Sequence, residues 1–245
     1  MSGGLVLSNG VVLGSKQFGL IKSGSSVDID ATYAALSTLY LKMDDTYTEG
    51  AGTFTTDSSP TPKVCQLGDG AGTYEPVFTD PGFTFDGSND YMDVLSSVPL
   101  QSEECTFVFC FKPVTKNYII LIESLPDREY QPWIKWSSTV LGTMGGTTVI
   151  SATFADVYTS WSEENKNALV CAYKSGDSDI YFNNELVTEA DDTEYSNTSE
   201  TSFRIGNSDT ITYADFEGVM YHLSIYPFKF TSEQAIELGN HLLGS

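Results

Sequence analysis

Two stretches of the chain concentrate side-chain oxygen atoms, which are the ligand atoms that calcium prefers. Their members are Asp86, Asn89 and Asp90 in the first stretch and Asn207, Asp209 and Asp215 in the second. Asp and Asn are also the residues that tight turns favour, so the same pattern has a purely conformational explanation. The sequence predicts no certain cofactor, and calcium is the one ion for which it offers candidate ligands.

Exposed aromatic side chains would offer a different chemistry, because a flat apolar ring with a polar edge can stack on a sugar. The candidate glycan-binding residues are Trp133, Trp136, Tyr130 and Tyr158. Trp133 and Trp136 are three residues apart, so a strand would place them on opposite faces. One of the two would then be exposed, whereas burial in the core is the competing interpretation for the whole set.

Nucleophilic catalysis is not indicated. The histidines are His222 and His241, and neither lies near a serine or cysteine nucleophile motif, so we expect no hydrolytic triad. The four cysteines have no zinc-like spacing and are expected to be buried free thiols. They are Cys65, Cys105, Cys110 and Cys171.

The charge balance excludes whole classes of partner. The chain has 33 acidic and 12 basic residues, a formal charge of −21. Such a field repels the phosphates of nucleic acid and the surface of anionic membranes. No apolar run reaches the roughly 18 residues of a membrane-spanning helix, so neither nucleic-acid binding nor membrane insertion is expected.

The elements that position these residues are predicted to be mostly strands. Short apolar runs alternate with turns rich in Gly, Asp and Pro, and the nearly continuous apolar run Cys105 to Lys112 is typical of a central strand. Thr231 and Gln234 form a capping box that begins a helix, which Gly244 ends. A second short helix is predicted between Asp28 and Leu41.

The first residues form a separate unit in this interpretation. The runs Leu5–Leu7 and Val11–Leu13 flank Ser8-Asn9-Gly10, and Asn-Gly between apolar runs predicts a β-hairpin. We therefore predict an N-terminal docking arm over residues 1–33 and one domain over residues 34–245.

A family resemblance points to the fold of that domain. The run Phe85-Asp86-Gly87-Ser88-Asn89-Asp90-Tyr91 resembles the signature of laminin-G-like domains, in the concanavalin A-like lectin and glucanase superfamily with its pentraxin-like jelly rolls. Ile180 to Val187, Arg204-Ile205-Gly206 and Thr231 to Ile236 are similar to later motifs of the same family, in the same order. The resemblance implies an all-β, two-sheet antiparallel β-sandwich, a concanavalin A-like jelly roll with a short C-terminal helix and an N-terminal β-hairpin arm.

One acidic string bears on catalysis. Glu189, Asp191 and Glu194 resemble the string that laminarinase-type glucanases carry on a strand, with two carboxyl groups about 5–5.5 Å apart in a retaining mechanism. The residues between them here are not the apolar residues of a half-buried strand, so a solvated loop is expected. Nothing apolar would raise the pKa of an acid catalyst there. The sequence therefore favours a protein that is not an enzyme.

These observations lead us to expect a virion structural or surface protein, because domains of this kind are found in structural proteins of phages and viruses. Its sandwich would serve as a capsid decoration or a tail-fibre component and could bind host or environmental glycans. The arm would bind other virion proteins, and a homo-oligomer is expected. Because the first residues are not a signal peptide, we expect synthesis in the host cytoplasm and a place on the virion surface. The alternative is a free-standing carbohydrate-binding or glucanase-type protein.

Overall fold

The computed structural model describes most of the domain and part of the arm. The described residues are 5–6, 12–13, 28–43, 53–54, 57–70, 74–79, 81–98, 104–114, 119–125, 130–135, 139–144, 147–153, 162, 164–174, 176–189, 201–207 and 215–244. Within them the helices are α1 (Ile29–Ala34) and α2 (Ser232–Leu243). None of the described helices is long and apolar enough to cross a membrane.

Strands dominate the described residues, and every pairing between them is antiparallel. In chain order they are β1 (Leu5–Val6), β2 (Val12–Leu13), β3 (Leu39–Lys42), β4 (Thr53–Phe54), β5 (Cys65–Leu67), β6 (Val77–Thr79), β7 (Gly82–Asp86), β8 (Met92–Val98), β9 (Glu104–Pro113), β10 (Ile119–Ile120), β11 (Ile122–Leu125), β12 (Tyr130–Lys135), β13 (Thr139–Met144), β14 (Thr147–Thr153), β15 (Asn167–Lys174), β16 (Asp179–Phe182), β17 (Glu185–Glu189), β18 (Thr201–Ile205) and β19 (Glu217–Tyr226).

Two facing sheets form the sandwich, which confirms the predicted fold class. The small sheet has the strand order β11-β18-β8-β5-β4, and the large sheet has the order β17-β16-β15-β9-β19-β7-β6. Strand β3 lies beside β7 on the same edge of β19, pairing with its second half. Between the sheets lies an aromatic core that includes Phe107, Phe109 and Phe111 of β9 and Phe203 of β18, all fully buried. The predicted central strand is thus central.

A third layer covers the outer face of the large sheet. Tyr33 of α1 packs on Tyr226 of β19 with ring centroids 6.2 Å apart. Its hydroxyl lies 2.8 Å from Glu237 of α2, so the two helices are joined to each other and to the sheet. The capping box of α2 is present as predicted, and Gly244 closes the helix in the left-handed conformation with φ +79°.

A short helix is present in the range predicted for it, Asp28 to Leu41, and occupies the first part of that range. It ends at Ala34, and the chain enters β3 at Leu39. Leu39 and Leu41 are fully buried in the core between the sheets while Tyr40 faces the helix layer. This alternation has the period of a strand, and pairing with β19 determines the conformation of these residues.

The hairpin of the arm is confirmed as a pairing. Leu5 pairs with Leu13 and Val6 with Val12, in a two-stranded sheet of its own. Its turn lies outside the described residues. The domain division at residues 33 and 34 stays a prediction, although α1, which crosses that boundary, packs on α2.

The cysteines are as predicted. All four are free and buried. Cys105 lies in the core between the sheets, whereas the Cys110 thiol donates to the carbonyl oxygen of Leu242 at 3.7 Å on the helix side. The two side chains therefore point to opposite faces of β9, and burial raises the pKa of the Cys110 thiol to about 12.

Candidate functional site

In the first predicted calcium set, the carboxylates of Asp86 and Asp90 are already hydrogen-bonded within their own turn. The Asp86 carboxylate accepts hydrogen bonds from the backbone N–H of Ser88 at 2.8 Å and of Asn89 at 3.4 Å. Asp90, whose pKa burial raises, accepts from the Asp86 N–H at 2.8 Å. These bonds hold the backbone around Gly87, which has φ +74°. Asp86 and Asp90 thus have the conformational role that turns require.

The second calcium set is only partly described. Asn207 follows β18 and Asp215 precedes β19, and both are half-buried, while Asp209 lies outside the described residues. Among the described residues, no three His, Cys, Asp or Glu side chains are grouped as metal ligands. Calcium binding therefore stays a prediction.

The predicted aromatic set and the acidic string belong to parts of the chain described only in backbone or not at all. Tyr130 and Trp133 lie on β12, in a four-stranded sheet of order β10-β12-β13-β14. Trp136 and Tyr158 lie outside the described residues. Glu189 ends β17 opposite Asp179. Asp191 and Glu194 likewise fall outside.

The structure assembles a site that the sequence analysis did not anticipate, on the outer face of the small sheet. Five polar residues are consecutive partners across its five strands, and we call them the polar row. They are Thr53, Gln66, Asp93, Arg204 and Glu123. Residues next to Gln66, Asp93, Arg204 and Glu123 along their strands point into the core, so these four side chains lie on the opposite, outer face by the two-residue period of a strand.

Asp93 and Arg204 form the charged centre of the row. Arg204 Nε donates to Asp93 Oδ1 at 2.8 Å and Nη2 donates to Oδ2 at 2.9 Å. Both side chains are partly accessible, at 14% for Arg204 and 20% for Asp93. Two parallel charge-assisted bonds fix the guanidinium plane and the carboxylate in one orientation.

Two tyrosines extend this centre sideways. The Arg204 guanidinium carbon lies 4.0 Å from the ring centroid of Tyr91, and the Tyr91 ring stacks on Tyr74 at 6.4 Å with an interplanar angle of 22°. Tyr74 is 42% exposed and has φ +69°, a backbone conformation that residues other than Gly rarely adopt. We call Tyr74, Tyr91, Arg204 and Asp93 the tyrosine–arginine platform.

Backbone bonds hold the platform in place. The Tyr91 N–H donates to the Tyr74 carbonyl oxygen at 3.1 Å, and the Gly68 N–H donates to the Tyr91 carbonyl oxygen at 2.8 Å. Gln66 Nε2 donates to the Gly68 carbonyl oxygen at 3.2 Å. The exposed Tyr74 is therefore tied to the start of β8, which carries Asp93.

Sequence reasoning missed the platform because its members are distant in the chain. Asp93 and Arg204 are separated by 111 positions. The available pattern was the alternation in Tyr91-Met92-Asp93-Val94 and Phe203-Arg204-Ile205, which marks the polar residues as outward-facing. That alternation predicts exposure but does not say which strands are neighbours.

Comparison with known proteins identifies the fold and leaves the family open. No family model and no curated protein matches the chain. Among solved structures, the ligand-binding domain of botulinum neurotoxin serotype D in complex with N-acetylneuraminic acid is similar with a TM-score of 0.59 and 14% identity, over 87% of this chain and 53% of that one.

Two other neighbours match a larger share of their own length. Domain 4 of an extracellular arabinanase from Geobacillus stearothermophilus, in complex with arabinotriose, has a TM-score of 0.55 and 16% identity over 84% of this chain and 98% of that one. A heptameric pentraxin from Limulus polyphemus has a TM-score of 0.53 and 12% identity over 67% and 79%. The chain spans about half the length of the neurotoxin domains. These structures are concanavalin A-like jelly rolls, which confirms the predicted fold.

Proposed function

We propose that this chain is a glycan-binding protein without catalytic activity, and that the tyrosine–arginine platform is its glycan-binding site. One feature supports this above all: the exposed ring of Tyr74 lies at the edge of a fixed, partly accessible Arg–carboxylate pair on the outer face of the small sheet. The fold is similar over 84% of this chain to an arabinanase domain whose structure contains arabinotriose, and the match covers 98% of that domain.

The chemistry of the platform suits a saccharide. The Tyr74 ring offers a flat apolar surface to the C–H side of a sugar, and its hydroxyl offers a polar edge. Asp93 accepts and Arg204 donates hydrogen bonds, so together they match neighbouring hydroxyl groups that do both. Because the pair is already formed and partly desolvated, little side-chain entropy is lost when a ligand binds.

The histidines support a role without catalysis. His222 Nε2 lies 2.9 Å from the hydroxyl of Ser224, but only 2% and 0% of these residues are exposed, so the pair is closed to a substrate. Burial lowers the pKa of His222 to about 3, which makes it a weak base. His241 contacts Asp30 and has no nucleophile among its described partners.

The test is a glycan array probed with the full chain, followed by calorimetric titration of the best ligand. We expect Tyr74→Ala to weaken binding by about tenfold, the loss of roughly one stacking contact. Leu186→Ala is the matched control, since Leu186 is also 42% exposed and lies on the large sheet. Absence of binding to any glycan, or equal loss in both variants, would overturn the proposal.

Repeating the array with a chelator tests calcium. Binding that disappears with chelator and returns with added calcium would support a role for Asp86, Asn89 and Asp90, or for Asn207, Asp209 and Asp215. Unchanged binding would exclude calcium from recognition. The hydrogen bonds that Asp86 and Asp90 make within their turn would then remain the explanation of the first set.

We further propose that the chain is displayed on a virion surface, as a capsid decoration or tail-fibre component, and that its arm docks on other virion proteins. The β1–β2 hairpin supports this, because an isolated two-stranded sheet is marginally stable in water and needs a partner surface. We also propose a homo-oligomer made in the host cytoplasm. Antibody labelling of purified particles tests the location. Sedimentation of a variant that carries both Leu5→Ser and Val12→Ser tests whether the arm is needed for docking. Absence from particles would favour the free-standing carbohydrate-binding protein.

A further inference from the structure

The outer face of the large sheet has a recess that the platform does not use. It lies where the end of α2 meets α1 and the strands β3 and β19, and its volume is about 200 Å³. The groups that matter in this outer recess are Asp30, Lys42, Lys166, Tyr221, His222 and His241. It is on the opposite side of the sandwich from the polar row, so the two sites are independent.

A β-bulge in β19 builds the floor of the outer recess. Met220 pairs with Phe111 and His222 pairs with Cys110, so Tyr221 is an extra residue with no partner position on β9. Met220 and Leu223 both point into the core, which leaves Tyr221 and His222 together on the outer face. A regular strand would have buried one of the two between the sheets.

The outer recess is basic in a strongly acidic chain. Lys42 and Lys166 both line it, and Asp30 is its one carboxylate among the described residues. Lys166 is exposed, with its ammonium 4.7 Å from the Tyr221 ring centroid, and no described acidic side chain forms an ion pair with it. The chain as a whole carries a formal charge of −21, so this local excess of positive charge is unusual.

Asp30 does not neutralise both lysines, because its oxygens are already engaged. It accepts hydrogen bonds from Lys42, from the Tyr40 hydroxyl at 2.9 Å, and it lies 3.0 Å from His241 Nε2. Burial raises the pKa of Asp30, but these donors outweigh burial and hold it at about 2, so the carboxylate stays ionised. The Lys166 ammonium is therefore available to contact a ligand.

We propose that the outer recess binds a small oxyanion, a carboxylate or phosphate-type group, held by Lys166 with Lys42 and His241 at the opposite wall. A recess of about 200 Å³ is smaller than typical pockets for drug-sized ligands, which start at about 300 Å³, but it is large enough for such a group. His222, which pairs across the sheet with both Lys42 and Cys110, forms the neutral floor between the two walls.

The histidines provide a direct assay, since the chain has only 2 and both line the outer recess. Sodium phosphate is titrated into the full chain at neutral pH and constant ionic strength, and the two imidazole signals are followed by NMR. We expect both signals to shift and to reach saturation by about 50 mM phosphate. This range is sufficient because a small ion binds with a Kd of about 1 mM or a few mM. Sodium chloride at the same ionic strength controls for screening.

Two variants separate binding from structural effects. Lys166→Gln removes an exposed ammonium that forms no ion pair with the described residues, and it should weaken phosphate binding about tenfold without loss of folding. Asp30→Asn removes the one carboxylate among the described residues of the outer recess. It should tighten phosphate binding several-fold, even though it loosens the contact between α1 and the sheet. Lys174→Gln, at the far end of β15, is the matched control and should leave the affinity unchanged.

The ligand arms identify the source of the anion. Glucuronate that binds more tightly than acetate would assign the oxyanion to an acidic saccharide, with glucose as the neutral control. Equal affinities for acetate and glucuronate would instead identify the ligand as a free anion. Histidine signals that do not move with phosphate, or an affinity that Lys166→Gln and Lys174→Gln change equally, would overturn the proposal, whatever the result at the platform.

Discussion

Substitution of Arg204 by Met tests whether the polar row is a structural unit. Arg204 is the one cation of the row, and it lies between Asp93 on β8 and Glu123 on β11. Glu123 is fully buried and Asp93 is 20% exposed. Met keeps the length and the apolar stem of Arg but leaves the Asp93 carboxylate without the guanidinium that pairs with it.

The size of the effect follows from the exposure of the pair. Exposed ion pairs contribute about 0–1 kcal/mol, and loss of one partner of a buried pair costs about 3–5 kcal/mol. Arg204 and Asp93, at 14% and 20%, lie between these limits, so about 2–3 kcal/mol is expected. For a chain of this size that lowers Tm by about 4–12 °C.

A double-mutant cycle isolates the contact. Thermal unfolding is measured for Arg204→Met, Asp93→Asn and the double variant, with the exposed Lys174→Met as the control for loss of a positive charge. We expect the double variant to be less destabilised than the sum, with a coupling of at least about 1 kcal/mol. A coupling below about 0.5 kcal/mol, or equal effects of Arg204→Met and Lys174→Met, would refute the reasoning.

Three further substitutions test the turn, the cap and the buried base. Gly206→Ala should destabilise by about 2–4 kcal/mol in urea unfolding, because its Cβ would lie 2.3 Å from the Phe85 ring at φ +87°; a milder effect would mean that the turn can shift. Thr231→Ala removes the capping box with Gln234 and should cost about 1 kcal/mol in thermal unfolding, whereas an unchanged Tm would show that α2 is held by packing alone. Because burial lowers the pKa of His222 to about 3, its unfolded form takes up a proton first as pH falls, so stability should decline from pH 6.5 towards about 3. This contribution is about 1.4 kcal/mol per pH unit, measured as the difference in unfolding free energy from His222→Gln, and equal slopes in both proteins would contradict it.

The sequence was sufficient for the features that depend on neighbouring residues. Asn183 and Asn184 both have positive φ, at 48° and 71°, as the turn between β16 and β17 requires. The capping box at Thr231 and the end of α2 at Gly244 also agree with the sequence prediction. In each case the residues that decide the conformation lie within a few positions of one another.

Features that depend on tertiary context could not be predicted in this way. The sequence predicts one strand from Tyr118 to Glu123, but Leu121 separates β10 and β11, which belong to different sheets. The bulge at Tyr221 has no local pattern of its own, because it is defined by the register with β9. The platform and the outer recess both rest on such long-range pairings, so alternation alone showed their side chains as outward-facing and no more.

The two outer faces of the sandwich differ in what they can bind, and the difference comes from the third layer. Small and apolar residues on the outer face of the large sheet, including Val108, Val170 and Ala172, allow α1 and α2 to pack closely on it. The bulge and the end of α2 leave a gap in this layer, and charged and polar groups line it. Neither described helix packs on the small sheet, so its polar row extends across all five strands. A flat, partly aromatic face suits an extended neutral chain, whereas a confined basic gap suits a single anionic group.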